Sequence, residues 1–206
     1  DVYRARTDTM NALDIRLQTE STVLLKNDDV LPLSKDAKVY VTGTSKDTIA
    51  MDAEAISAYA AVVEDIEEAD VVVAHVTAMD DSTEMFIEDA QDEEKPLVLL
   101  FDGGVSNEPN AWAIENSGAV LFLTYDCTPD HGSSMGNFYH KTLPSVIADM
   151  LYGEKQPSGS TVFEIGRTDD DASLDWGELQ FDTGVDPQTR LYMAATVRMN
   201  PTAALP

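Results

Sequence analysis

Short apolar runs, separated by stretches with helical character, constrain the fold of this 206-residue chain most strongly. The four clearest runs lie at residues 38–42 (KVYVT), 70–76 (DVVVAHV), 96–101 (PLVLLF) and 119–124 (AVLFLT). Strands that are apolar throughout are typical of parallel sheets covered on both faces. Two shorter candidate strands and four helices complete the alternation, at residues 60–63 and 161–165, and at residues 48–58, 82–93, 107–117 and 138–152. The pattern predicts an α/β fold, a three-layer α/β/α sandwich with a mostly parallel, about six-stranded sheet.

The two ends of the chain differ from this pattern. Residues 1–26 are predicted to form one helix, because Leu13, Leu17 and then Val23 and Leu24 recur near helical spacing. From residue 168 the sequence becomes an irregular acidic tail that we expect to wrap the sandwich. We therefore divide the chain into an N-terminal helix and connector (1–34), the sandwich (35–167) and the tail (168–206).

The charge excludes several classes of partner. The chain carries 38 Asp and Glu against 13 Lys and Arg, for a net charge of −25, which disfavours binding to nucleic acids and to anionic membranes. A calcium loop needs a central glycine, and residues 80–84 (DDSTE) have none, so neither a metal nor a cofactor is predicted. An acidic surface favours an extracellular or secreted protein, with a cytoplasmic location as the alternative.

The loops at the carboxyl ends of the strands are the expected ligand site. No phosphate loop, dinucleotide fingerprint or nucleophile elbow is present. His75 lies inside an apolar strand and is predicted to be a core histidine with its hydrogen bonds satisfied. Cys127, with Asp126 and His131 nearby, is compatible with a nucleophilic set, although an exposed polar loop is the simpler interpretation.

Paired carboxylates give a second candidate chemistry. Asp80, Asp81 and Glu84 follow the predicted strand at residues 70–76, and glycoside hydrolysis requires two carboxyl groups beside the scissile bond. Acidic residues are so frequent in this chain that these three are equally compatible with a hydrated surface.

A family resemblance narrows these alternatives. Residues 20–27 (ESTVLLKN), followed by residues 31–33 (LPL), resemble the ES-x-VLLKN…LPL signature that opens the second domain of glycoside hydrolase family 3, which includes β-glucosidases and β-N-acetylhexosaminidases. Further similarities follow in the family's order and extend the resemblance over roughly residues 5–195. They lie at residues 38–43 (KVYVTG), 69–73 (ADVVV), 95–100 (KPLVLL), 147–153 (IADMLYG), 156–159 (QPSG) and 184–193 (GVDPQTRLYM).

The resemblance implies a C-terminal α/β sandwich that covers the sugar site of a TIM-like barrel domain, with the barrel supplying the nucleophile and a β-linked sugar as substrate. It implies that the loop at residues 77–84 supplies the acid/base, with Asp81 or Glu84 as the candidate. Asp80, Asp102, Asp126 and His131 stand in the loops expected to bind substrate. Because no barrel lies within these 206 residues, we expect the chain to be inactive alone.

Three of the family's loop motifs are altered. Its GE, SGRP and YPGQEGG motifs correspond to residues 75–76 (HV), 102–106 (DGGVS) and 125–132 (YDCTPDHG). The matches lie in predicted strands and helices, whereas the changes lie in loops, as in a retained fold with a modified site. A non-catalytic carbohydrate- or protein-binding module with a degenerate site is therefore the alternative, and a small hydrolase that uses Cys127 and His131 is a third hypothesis.

Overall fold

The computed structural model describes residues 2–102, 109–124 and 142–160. They form a six-stranded, mostly parallel sheet with helices on both faces, which confirms the predicted α/β/α sandwich. The strands are β1 (Val23–Asn27), β2 (Lys38–Gly43), β3 (Ala61–Val63), β4 (Val71–Val76), β5 (Leu97–Phe101) and β6 (Ala119–Phe122). The α-helices are α1 (Val2–Ser21), α2 (Lys46–Ser57), α3 (Asp81–Asp92), α4 (Ala111–Asn116) and α5 (Pro144–Leu151), and a 3₁₀ turn covers Ile66–Glu68.

The sheet has the strand order β1-β6-β5-β4-β2-β3. Adjacent strands are parallel except β1, which pairs antiparallel with β6. Each parallel neighbour is reached by a helical crossover, so the sheet is built from βαβ units as the sequence alternation predicts.

The strand β1 corrects the sequence prediction. A single helix over residues 1–26 is wrong beyond Ser21, because Val23–Asn27 forms an edge strand of the sheet. Val23, Leu24 and Leu25 are all buried, and a short run that is buried on every side has no period that separates a strand from a helix. The predicted strand at residues 161–165 lies outside the described residues. The division at residues 34 and 167 stays a prediction, although β1 adds part of the first segment to the sheet.

Two apolar clusters hold the helices to the sheet. Because strand side chains alternate between faces, consecutive residues of one strand enter different clusters. Beneath α2 and α5 the cluster includes Val73, Leu100, Leu121, Ile56 and Ile147. Beneath α3 and α4 it includes Leu99, Phe101, Phe122, Ile87 and Ile114. Described helices therefore cover both faces of the sheet, and ligands of such sheets bind outside the carboxyl ends of the strands.

Candidate functional site

The carboxyl ends of four parallel strands meet at one edge of the sheet. Gly43 of β2 lies beside His75 of β4, and Val76 lies beside Phe101 of β5. Phe101 in turn pairs with Phe122 at the end of β6. Ligands of open α/β sheets bind outside this edge, so the residues that follow these strands form the candidate site.

The three carboxylates predicted after β4 lie at the start of α3. Asp80 is the N-cap, and its Oδ1 accepts hydrogen bonds from the backbone N–H groups of Ser82 and Thr83, each at 3.0 Å. Asp81 and Glu84 are exposed in the first turn, where the positive end of the helix dipole favours negative charge. Residues 81–84 therefore belong to the helix rather than to a loop. The acid/base role of Asp81 or Glu84 stays a prediction, as does substrate binding by Asp80, whose carboxylate already caps α3.

Asp102 directly follows β5 and contacts the interior of the protein. Its side chain is only 8% exposed, and its Oδ2 lies 3.7 Å from Nε2 of His75. The other ring nitrogen of His75, Nδ1, lies 2.6 Å from Oδ2 of Asp52 in α2. The side chains of His75 and Asp52 are 5% and 1% exposed. These three residues form a shielded Asp–His–Asp cluster contributed by α2, β4 and the end of β5.

The position of His75 between two carboxylates favours the ring that carries both protons. In the protonated ring both imidazole nitrogens carry an N–H group, and the positive charge is attracted to the carboxylate on each side. Burial alone would lower the pKa of His75, but its interactions with Asp102 and Asp52 outweigh burial and raise the pKa to about 9. His75 is therefore a cation at neutral pH.

The prediction that His75 is a core histidine is confirmed, since it is buried and hydrogen-bonded to Asp52. The prediction that all hydrogen bonds of His75 are satisfied is wrong for its second ring nitrogen. Among the described residues, neither Nε2 of His75 nor Oδ1 of Asp52 has a hydrogen-bond partner. Nε2 lies beyond hydrogen-bonding distance of Asp102 and within ion-pairing distance. The contact to Asp102 is therefore mainly electrostatic.

Two local features bring α2 against β4. Gly43 passes so close to β4 that a Cβ atom there would lie 2.1 Å from the carbonyl oxygen of His75, so a residue without a side chain is required. The N–H of Thr44 donates to that same oxygen at 3.1 Å. Ser45 then caps α2 through a hydrogen bond from the N–H of Thr48. This path from β2 into α2 places Asp52 beside His75.

Sequence reasoning missed Asp52, although the sequence contains a signal for it. Asp52 and Ile56 are four residues apart in α2, and both are buried. A carboxylate at the helical spacing of an apolar residue is expected to face the core and to need a partner there.

The other predicted site residues are not tested. Asp126 and His131 lie outside the described residues, as does Cys127. Within residues 2–102, 109–124 and 142–160, no three His, Cys, Asp or Glu side chains are grouped so that they could hold a metal ion. In the same part of the chain, no helix has the length and hydropathy needed to cross a membrane.

The family comparison agrees with the fold. The sequence model described as the glycosyl hydrolase family 3 C-terminal domain matches residues 22–195. The chain belongs to this family. The match begins just before β1, so this family 3 C-terminal domain includes the edge strand β1, which the sequence pattern had predicted to be helical.

Solved structures of glycosidases share this domain's fold. The β-glucosidase from Listeria innocua, solved with isofagomine, superposes with a TM-score of 0.51 at 20% identity over 69% of this chain. The family 3 β-glucosidase from Bifidobacterium adolescentis gives a TM-score of 0.52 at 18% identity over 73% of the chain. The β-D-glucoside glucohydrolase from Trichoderma reesei gives 0.54 at 14% identity over 78%.

The family 3 C-terminal domain spans only part of these enzymes. The matched regions cover 25%, 28% and 31% of the Listeria, Bifidobacterium and Trichoderma chains. At these identities the comparison establishes the fold and leaves the substrate open. No match was found among curated proteins.

Proposed function

We propose that this domain is the sandwich part of a β-glucosidase-like glycoside hydrolase, in which it covers the sugar site of a catalytic barrel domain. The family match over residues 22–195 carries the proposal. The carboxyl edge supports it, because Asp81 and Glu84 stand exposed beside the ends of the parallel strands. A β-linked sugar bound between the barrel and this edge is the proposed substrate.

The proposal assigns one of the two catalytic carboxyl groups to this chain. Hydrolysis of a glycoside requires a general acid and a nucleophile or base on opposite sides of the scissile bond. Asp81 or Glu84 would supply the acid/base, and the barrel would supply the nucleophile. The isolated 206-residue chain should therefore have no glycosidase activity.

Hydrolysis of p-nitrophenyl β-glucoside tests the proposal. The 206-residue chain should give no turnover above the blank, whereas the product of the complete gene should be active. In that product, Glu84→Gln or Asp81→Asn should lower kcat by about 10²–10⁴, the usual contribution of a general acid. Glu88→Gln is the matched control, because Glu88 is exposed one turn further along α3. Robust turnover by the isolated chain would contradict the proposal.

A second candidate function is a non-catalytic carbohydrate- or protein-binding module. One observation favours it. Asp102, which was predicted to bind substrate, contacts His75 instead and exposes only 8% of its side chain, as expected of a modified site. Sugar titration monitored by the fluorescence of Trp112, which is exposed in α4, would detect binding without hydrolysis. Trp112→Phe is the control for the signal. No response to any sugar would leave only a protein-contact role for this candidate.

We also propose that the domain acts outside the cell. The net charge of −25 supports this proposal, because strong charge keeps a protein soluble and monomeric. Detection of the native product in the culture supernatant by immunoblotting would test it, and retention of all product in the cells would contradict it.

A further inference from the structure

We infer that His75 is a positioning residue, an imidazolium held by Asp52 that fixes the carboxylate of Asp102 at the ligand-binding edge of the sheet. The inference rests on the proposed function only where it treats this edge as the sugar site. The contacts that carry it belong to the Asp–His–Asp cluster alone.

The imidazole of His75 lies between two carboxylates. Nδ1 lies 2.6 Å from Oδ2 of Asp52, and Nε2 lies 3.7 Å from Oδ2 of Asp102. A neutral ring that donates from Nδ1 would direct the Nε2 lone pair toward a negative oxygen. A protonated ring directs an N–H group toward it instead. The position of Asp102 is therefore more favourable beside the charged ring than beside the neutral ring.

Asp102 contacts β4 through both its backbone and its side chain. The backbone N–H of Asp102 donates to the carbonyl oxygen of Val76 at 2.8 Å, and its side chain faces His75, the preceding residue of β4. Asp102 is thus tied to the last two residues of one strand by its backbone and by its side chain. Because it is the first residue after β5, its position sets where the chain leaves the sheet.

Two carboxylates face the imidazole of His75. The carboxylates that face His75 in the described residues come from α2 (Asp52) and from the end of β5 (Asp102). The neighbouring residues of β2 and its exit, Gly43 and Thr44, are uncharged. Without the imidazolium, these two shielded carboxylates would lose the positive charge that lies between them, and the attraction that holds Asp102 toward His75 would be lost. Asp52 therefore orients and charges the histidine, and the histidine orients Asp102.

An NMR titration of the histidine ring resonances of the whole 206-residue chain tests the inference. The chain has three histidines, and loss of a signal in His75→Gln assigns the resonance of His75. We expect His75 to titrate near pH 9, and Asp102→Asn to lower its protonation constant at least tenfold. Glu54→Gln is the matched control, because Glu54 is exposed on the same helix as Asp52, and it should leave the titration unchanged.

Amide hydrogen exchange provides the readout of position. In His75→Gln, protection of the Asp102 amide should fall at least tenfold relative to the amide of Leu99 in the core of β5. Unchanged protection of Asp102, or a His75 titration that Asp102→Asn does not move, would overturn the inference in favour of a histidine that only fills the core. If His75→Gln does not fold, loss of the other two signals in His131→Gln and His140→Gln assigns the resonance of His75 by elimination, and the wild-type and Asp102→Asn titrations still decide between the two outcomes.

Neither measurement uses a sugar. A failed glycoside assay with a His75 titration near pH 9 would therefore count against the proposed function and leave the positioning role intact. A titration at or below the ordinary value of 6.5 would overturn the positioning role, whatever the glycoside assay gives.

Discussion

Raising the pH from 6 to 10 should remove the positive charge that lies between the carboxylates of Asp52 and Asp102, and the domain should lose stability. The pKa of His75 is raised in the folded protein from 6.5 to about 9. The folded state therefore holds this proton more tightly than the unfolded state does. The resulting stabilisation is complete below pH 6.5, declines between pH 6.5 and 9, and is absent above pH 9.

The size of the loss follows from the two pKa values. Each pKa unit corresponds to about 1.4 kcal/mol of differential stabilisation, so a rise from 6.5 to about 9 corresponds to about 3 kcal/mol. With a urea dependence of about 2 kcal/mol per M, the unfolding midpoint should fall by roughly 1.5 M. A loss of this size is large against the roughly 5–15 kcal/mol that stabilises a typical domain.

Urea unfolding monitored by circular dichroism at half-unit pH steps would measure this loss. His75→Gln is the reference, because it cannot titrate at this site and shares every other charge with the wild type. The difference in unfolding free energy between the two proteins should be largest below pH 6.5 and should shrink by about 3 kcal/mol by pH 10. Removing one partner of a buried ion pair costs roughly 3–5 kcal/mol, and His75→Gln removes the partner of both carboxylates. Asp102→Asn is the milder second variant, because it keeps the contact between His75 and Asp52.

Two results would refute the reasoning. A difference between wild type and His75→Gln that stays constant from pH 6 to 10 would show that His75 does not change protonation on folding. A difference that grows with pH would show that His75 is neutral in the folded protein. Asp102→Asn should reduce the pH-dependent loss, because one of the two carboxylates that raise the pKa of His75 is then neutral.

Three further substitutions test how the edge is built. Gly43→Ala should lower stability by about 2 kcal/mol in thermal unfolding, because the new Cβ would lie 2.1 Å from the carbonyl oxygen of His75; an unchanged melting temperature would contradict the close approach. Asp80→Ala should cost about 1 kcal/mol of stability in urea unfolding through loss of the N-cap of α3, while Asp80→Asn should retain most of it; equal effects of the two variants would argue against capping. Leu99→Ala should cost about 3–5 kcal/mol in the same assay, because Leu99 is fully buried in β5, and a loss below 1 kcal/mol would place it outside the core.

The alternation of apolar and helical stretches was sufficient to predict the layers, the mostly parallel sheet and the position of its carboxyl edge. It could not identify β1, because the helical spacing of Leu13 and Leu17 continues by coincidence to Leu24. What makes Val23–Asn27 a strand is its antiparallel pairing with β6, about 95 residues further along the chain. A contact that distant in sequence leaves no trace in the local period.

The sequence was sufficient to predict which loops form the candidate site, but not which side chains contact one another there. Residues 80–84 stood out as acidic residues after a strand, but the structure shows that Asp80 caps a helix. His75 was predictable as a core residue because its neighbours are apolar. Its partner Asp52 was harder to identify, because it is one of sixteen acidic residues between Asp47 and Glu94, and only its four-residue spacing from Ile56 indicates that it faces the core.

The acidic excess also explains why the cation of this cluster is a histidine. Between Asp47 and Glu94 the chain has sixteen Asp and Glu, no Lys or Arg, and one histidine. Exposed carboxylates need no partner, because water and salt screen them, whereas the carboxylate of Asp52 is 1% exposed and does need one. Within this stretch His75 is the one side chain able to supply a positive charge. Arginine would stay charged at any pH in the working range, but an imidazole loses its charge once the pH passes its pKa, so the stabilisation that His75 contributes should be lost as the pH rises to about 9.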